Sequence, residues 1–287
     1  MIPKDTPANL TTLDWRAMTQ VERDAGLNNV NAVPGSLDMV ASWEPRALAM
    51  RTSYPDHLDI SYGAKPRNRM DVFKVAENAP TLVFIHGGYW QSRAKENFSH
   101  FAAGPMAHGI NVVMFGYTLA PEATLDEIVA EIHAGLDALV ALGPSRGIDV
   151  SRLVLSGWSA GGHMTAMALA HPHVKAGMAI SGIFDLEPIR HSYLNEKLQL
   201  DAAMSARNSP LLHKGGARKP LALVCGDDEL PLLRKESACF AGHRATYGLP
   251  VSYEEISGAN HFSIMNEMEQ PTGRITTLIR ELFAQIG

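Results

Sequence analysis

Ser156-Gly157-Trp158-Ser159-Ala160-Gly161-Gly162-His163 follows the apolar run Leu153-Val154-Leu155 and leads into Met164-Thr165-Ala166-Met167-Ala168-Leu169-Ala170. The first run reads as a strand and the alanine-rich one as a helix, so Gly157-x-Ser159-x-Gly161 falls on a sharp strand-to-helix turn. Small residues on either side let the chain turn tightly enough to hold the Ser159 hydroxyl at its tip. The five-residue pattern recurs by chance. Its strand-before, helix-after context makes Ser159 the candidate nucleophile.

Outward from this turn, strands and helices alternate. Upstream, Thr81-Leu82-Val83-Phe84-Ile85 is apolar throughout, as in a strand buried on both faces, and ends in His86-Gly87-Gly88-Tyr89-Trp90. The spacing predicts a helix over Asn97 to His108, a strand over Ile110 to Phe115 and an amphipathic helix over Leu125 to Leu142. Past the elbow, Val174 to Ile180, Leu221 to Cys225 and Val251 to Ile256 read as strands. Before all of these, residues 58–62 and 69–75 alternate apolar and polar around turn-forming residues 63–68, which predicts an antiparallel hairpin with one face in water. The fold class is therefore α/β: a mostly parallel twisted sheet, helices on both faces, and an antiparallel N-terminal hairpin.

Two segments depart from this rhythm. Residues 1–57 read as a helical arm (Asp14 to Ala25, Asn28 to Val33, Leu37 to Met50) broken at Pro34-Gly35, with no core pattern of its own. Residues 182–219 are polar, contain Pro188 and Pro210, and interrupt the strands at the carboxyl edge of the sheet. They are either a lid insertion or a surface excursion. No repeat or linker divides the chain, so residues 1–287 are expected to form a single domain.

A serine hydroxyl needs a base to take its proton, and the base needs an orienting acid. Of the 12 histidines, His261 stands apart. It lies in Ser257-Gly258-Ala259-Asn260-His261-Phe262-Ser263, directly after the last strand, where a loop can reach the elbow. The acid belongs between them: Asp227-Asp228-Glu229 follows the Leu221 to Cys225 strand. Asp228 is favoured, with Glu229 the alternative and Asp227 third. Donors for a developing oxyanion are the N–H of Ala160 and those of Gly88 and Tyr89, with Gly87 close behind. His86 and His163 are read as structural. Tyr89, Trp90, Trp158, Phe184 and Phe262, together with Tyr193, are candidate walls of an apolar substrate pocket.

Composition narrows the function classes. Nearly half of the 287 residues are apolar, the net charge is -5 and basic residues are scattered, which leaves no footprint for nucleic acid or a membrane surface. No apolar run approaches the roughly 18 residues of a membrane span, and the N-terminus lacks a signal pattern. A cytoplasmic protein is expected. Two cysteines, Cys225 and Cys239, make no disulfide framework. Metal and nucleotide motifs are missing, and His171-Pro172-His173 has no further ligands at a recognisable spacing, so no metal or other cofactor is expected. The expected partner is a small-molecule amide or ester substrate; a homodimer is among the assemblies this reading allows.

Taken together, His86-Gly87-Gly88-Tyr89-Trp90, Ala120-Pro121-Glu122-Ala123, the elbow through His163, Asp228-Glu229-Leu230-Pro231 and Asn260-His261-Phe262-Ser263 resemble the α/β-hydrolase superfamily. More narrowly they resemble its arylformamidase (kynurenine formamidase) group and the hormone-sensitive-lipase-like esterases. The resemblance spans approximately residues 58–287. It implies an eight-stranded sheet, a triad of Ser159, Asp228 and His261, an oxyanion hole, and hydrolysis of N-formylkynurenine or a similar small amide through an acyl-enzyme. A broad carboxylesterase is the alternative, and a non-catalytic binding protein on the same fold is a third reading.

Overall fold

The computed structural model describes Thr6 and residues 8–287. Its eight strands are β1 (Ile60–Ser61), β2 (Arg69–Phe73), β3 (Thr81–Ile85), β4 (Asn111–Phe115), β5 (Leu153–Trp158), β6 (Val174–Ile180), β7 (Leu221–Gly226) and β8 (Val251–Ile256). They form one sheet in the order β1-β2-β4-β3-β5-β6-β7-β8. The β1–β2 and β2–β4 pairs are antiparallel and every other pair is parallel.

Every residue of β3, β4 and β5 is buried, because helices cover both faces of the sheet and successive side chains point to opposite sides. In β3, Val83 and Ile85 enter one core, with the helices Leu125–Leu142 and Ala160–Ala168. Leu82 and Phe84 enter the other, with Trp43, Phe98, Phe101 and the helix Arg274–Ile286. Burying one such side chain stabilises the fold by about 1.5–3 kcal/mol. Among the described residues no helix is long and apolar enough to cross a membrane.

The strand order reverses between β3 and β5. After β4 the chain crosses back over β3 to start β5, and the carboxyl ends of β3 and β5 are left side by side with Ile85 opposite Gly157. Such a reversal opens a crevice beyond the strand ends. Both the His86-Gly87-Gly88-Tyr89 loop and the Ser159 turn emerge there.

The expected hairpin forms, but not with a wet face: β2 is buried from Met70 to Phe73 because it lies inside β1 against β4. Its polar residue Asp71 instead joins a buried ion cluster. Lys95 Nζ lies 2.8 Å from Asp71 Oδ1, 2.6 Å from Asp59 Oδ1 and 2.6 Å from Glu96 Oε1, and Arg51 from the arm also pairs with Asp71. These three carboxylates are close enough to hold a metal ion; the Lys95 ammonium already sits among them. The segment predicted as one helix over Asn97 to His108 is a 3-10 turn, Lys95–Ala102, followed by a short helix, Ala103–Met106. Lys95 opens that turn.

In the arm, the predicted helices are split. Asp14 to Ala25 becomes a 3-10 turn, Trp15–Ala17, and a helix, Gln20–Ala25, begun by a Thr19/Glu22 capping box. Leu37 to Met50 becomes Ser36–Ala41 and Trp43–Ser53. Residues 182–219 fold as short helices, Glu187–Arg190, Asn195–Leu198 and Ala202–Arg207.

Removing the Lys95 charge leaves the buried Asp71 carboxylate short of a partner, which costs far more than losing a surface pair. Lys95→Met is expected to lower unfolding free energy by about 3 kcal/mol in urea titrations. Adding Asp71→Asn to that variant should restore part of the loss.

Candidate active site

Ser159 has φ 57° and ψ -117° at the start of the helix Ala160–Ala168, a backbone region that non-glycine residues rarely occupy and that tends to appear at functional turns. The turn is held from both sides. Ser159 N–H donates to Ile180 O at 2.8 Å, and Ser159 O accepts from His163 N–H at 3.2 Å. The glycines are needed because backbone passes where a side chain would stand. A Cβ on Gly157 would lie 2.3 Å from Gly161 O, and one on Gly161 would lie 1.9 Å from Ile85 O.

The β3 loop comes equally close. A Cβ on Gly87 would meet the Trp158 ring at 2.7 Å and Ser159 Cβ at 3.0 Å. Gly88 takes φ 115°, and Tyr89 and Trp90 follow at 49° and 59°. Gln91 and Ser92 N–H donate to Gly88 O at 3.0 and 3.1 Å, which closes the loop on itself. His86 anchors it: Nδ1–H donates to Gly87 O at 2.8 Å, and the ring stacks 4.2 Å from Tyr117. Burial holds the His86 imidazole down to about 3 and that of His163 down to about 4. Both stay neutral, as core groups.

Gly88, Tyr89, Trp158, Ser159, His261 and Phe262 line one cavity of about 200 Å³. Ala160, the first residue of its helix, has a backbone N–H with no partner inside that helix. Gly87 packs beneath the cavity against Trp158 and Ser159.

The residue facing His261 is Glu229, which corrects the expectation of Asp228. His261 Nδ1–H donates to Glu229 Oε2 at 2.8 Å, and the Glu229 side chain is fully buried. Its other oxygen, Oε1, accepts from Ser181 Oγ at 2.5 Å and from Gly226 N–H at 2.7 Å. The cause is a tight turn after β7, in which Glu229 N–H donates to Gly226 O. That turn folds residue 229 back over the strand end and leaves Asp228, at its outer side, exposed. Asp227 faces the next loop, accepting from Gly258 N–H at 2.7 Å.

Trp158 holds the other side of the histidine loop. Its Nε1–H donates to His261 O at 2.9 Å, with the two rings 4.8 Å apart.

Two of the aromatic residues expected as pocket walls are elsewhere. Trp90 is fully buried edge-on against His163, 5.0 Å away. Phe184 stacks on Phe240 at 4.4 Å in the core. Tyr193 does line the cavity, together with Lys197 from the insertion and Arg93 after the β3 loop.

The arm supplies wall as well: Asn28, Asn29 and Val30 reach the cavity. Tyr89 Oη donates to Leu27 O at 2.7 Å and accepts from Asn29 Nδ2 at 3.2 Å. Arm and insertion are tied together, since Arg23 Nε donates to His191 O at 3.1 Å and Tyr193 N–H donates to Asp24 Oδ1 at 2.9 Å. Nothing in the alternation of residues 1–57 marks this, because the contacts are made by a few polar atoms.

Comparison with known proteins agrees with this architecture. A family model for the α/β-hydrolase fold matches residues 82–202. A kynurenine formamidase of Danio rerio is 28% identical, over 95% of this chain and 99% of its own. One of Salmo salar is 29% identical, over 79% of this chain and 82% of its own. A solved structure from Silicibacter sp. tm1040, designated a thioesterase, superimposes with a TM-score of 0.82 at 27% identity, covering 90% of this chain and 99% of that one.

Two measurements probe this geometry. Gly161→Ala should cost about 3 kcal/mol or more, seen as a lowered Tm, since its Cβ would drive into the backbone of β3. The second concerns His163, whose folded value lies below the usual 6.5, so that between the two only the unfolded chain binds the proton. That contribution to stability is present above 6.5 and is lost as pH falls towards 4. In urea titrations across that window, His163→Gln should gain on the wild type by up to about 1.4 kcal/mol per pH unit.

Proposed function

With an α/β-hydrolase fold and a resemblance to the kynurenine formamidases and hormone-sensitive-lipase-like esterases as its premise, we propose that this chain is a serine hydrolase. It opens a small carboxylic amide or ester through an acyl-enzyme. The observation that carries the reading is convergence: the strained Ser159 turn and a His261 clamped by buried Glu229 face one cavity.

The steps follow from that geometry. His261 takes the Ser159 proton as the hydroxyl oxygen attacks the carbonyl carbon, and a tetrahedral oxyanion forms. Backbone N–H groups of Ala160, Gly88 and Tyr89, with Gly87 beside them, hold the negative oxygen. The imidazolium then gives its proton to the leaving amine or alcohol, and the carbonyl reforms as the ester of Ser159. Water, deprotonated by His261, attacks that ester and releases the acid and the free serine. Glu229, accepting at Nδ1–H, fixes the tautomer that leaves Nε2 free as the base, and it stabilises the imidazolium. Its hydrogen bonds from Ser181 and Gly226 keep the carboxylate in that position.

Within this class the substrate proposed is an aryl formamide of the N-formylkynurenine type. Support comes from the near full-length similarity to a kynurenine formamidase and from an aromatic cavity walled by Tyr89, Trp158 and Phe262.

Ser159→Ala should lower kcat by about 10³-fold or more with an unchanged Tm. Glu229→Gln should cost about 100-fold or more, while Asp228→Asn stays within about threefold; the reverse order would assign the acid to Asp228. kcat/KM for N-formylkynurenine should exceed that for short p-nitrophenyl esters. A formamide rate negligible beside the ester rate overturns the substrate and leaves a carboxylesterase.

A further inference from the structure

Among the described residues, the charged ones of the cavity wall are Arg93 and Lys197, and no Asp or Glu lines it. In a chain with a net charge of -5 this is an uneven distribution. Arg93 belongs to the loop after Trp90 and Lys197 to the insertion helix Asn195–Leu198, so two separate elements bring the charges to one opening. Among the described residues, neither side chain forms an ion pair or a hydrogen bond. For Lys197, which is exposed, that is ordinary. For Arg93 it is not.

The Arg93 guanidinium is partly buried, and loss of water there lowers its proton affinity with no carboxylate to offset it. Leaving a cation half-desolvated and unpaired costs free energy that a bound anion would recover. Its backbone is also held in place: Arg93 has φ 74°, and its carbonyl accepts from the Arg67 guanidinium, whose Nε donates to Tyr117 O at 2.9 Å. A non-glycine residue kept in that conformation on the wall of the cavity that holds Ser159 is a built feature. Gln91, two residues earlier, donates from Nε2 to Leu194 O at 2.8 Å, so the loop carrying Arg93 and the insertion carrying Lys197 are joined by two residues of the cavity wall.

We infer that Arg93, assisted by Lys197, forms a carboxylate-binding subsite that selects substrates carrying an anionic group away from the scissile bond. A planar guanidinium pairs with a carboxylate through two parallel hydrogen bonds, and the lysine adds charge at the opening. This rests on the hydrolase reading above and narrows its substrate class to acidic amides or esters. Arg93 is a specificity-determining residue. It takes no part in the proton transfers.

The test is arranged so that the subsite and the chemistry fail separately. In the Ser159→Ala protein, quenching of tryptophan fluorescence reads binding of 4-acetoxybenzoate and of its neutral match 4-acetoxybenzamide, without turnover. The carboxylate should bind about 10-fold or more tightly than the amide, and adding Arg93→Gln should remove most of that preference. Arg93→Lys should keep part of it, and Lys197→Gln should lower it by about threefold. With Ser159 intact, the ratio of kcat/KM for N-formylkynurenine over 2′-formamidoacetophenone should fall about 10-fold in Arg93→Gln, carried by KM. Equal binding of the two benzoyl compounds, or a preference that survives Arg93→Gln, overturns the subsite whatever the turnover. Binding with the expected preference but no hydrolysis of any substrate overturns the serine hydrolase reading alone.

Discussion

At Ser159 the chain must leave a fully buried strand and enter a helix within one residue. The backbone manages this at a positive φ with its neighbours Gly157 and Gly161 in contact with backbone on both sides. A side chain at either glycine would push into the elbow itself or into β3. That close approach is also what sets β3 and β5 with their ends level, so that the loop leaving Ile85 runs directly against Trp158 and Ser159. The crevice, the cavity and the position of the candidate nucleophile all follow from this one steric constraint.

The histidine side of the site has a different physical basis. His261 sits on a loop, and a loop imidazole has orientational freedom that costs entropy to remove. Here the ring is fixed at Nδ1 by a buried carboxylate, and the His261 carbonyl is fixed by the Trp158 indole. The other carboxylate oxygen accepts from a hydroxyl and a backbone N–H, so Glu229 can be buried and still act as an acceptor. Trp158 thus serves as a wall of the cavity and as a support for the residue opposite.

Arm and insertion complete the cavity from outside the sheet. Neither shows a regular apolar periodicity in its sequence. They are seated by buried apolar side chains, Leu27 and Trp43 from the arm and Ile189, Leu194 and Leu198 from the insertion, are tied by polar contacts to each other and to Tyr89 and Gln91, and bring Asn29, Tyr193 and Lys197 to the cavity wall.

What the amino-acid sequence determined by itself was whatever depends on periodicity or on steric demands within a few residues. Apolar runs marked β3, β4, β5 and β7, and the amphipathic pattern over Leu125 to Leu142 matched that helix at both ends. The glycines around Ser159 announced a turn that no bulkier residue could make. Tertiary structure decided everything that turns on direction. Three adjacent carboxylates differ only in where a tight turn points them, and the turn from Gly226 aimed Glu229 inward and Asp228 into solvent. Trp90 follows the β3 loop and Phe184 belongs to the insertion, but they pack on His163 and Phe240, because a side chain's neighbours are set by the backbone angle that carries it. The alternation of β2 suggested a wet face until Lys95 and Arg51 closed over Asp71. Arg93 carried no sequence signal at all. Its meaning comes from being partly buried, unpaired and on the same cavity wall as Ser159, three properties that exist only once the chain has folded.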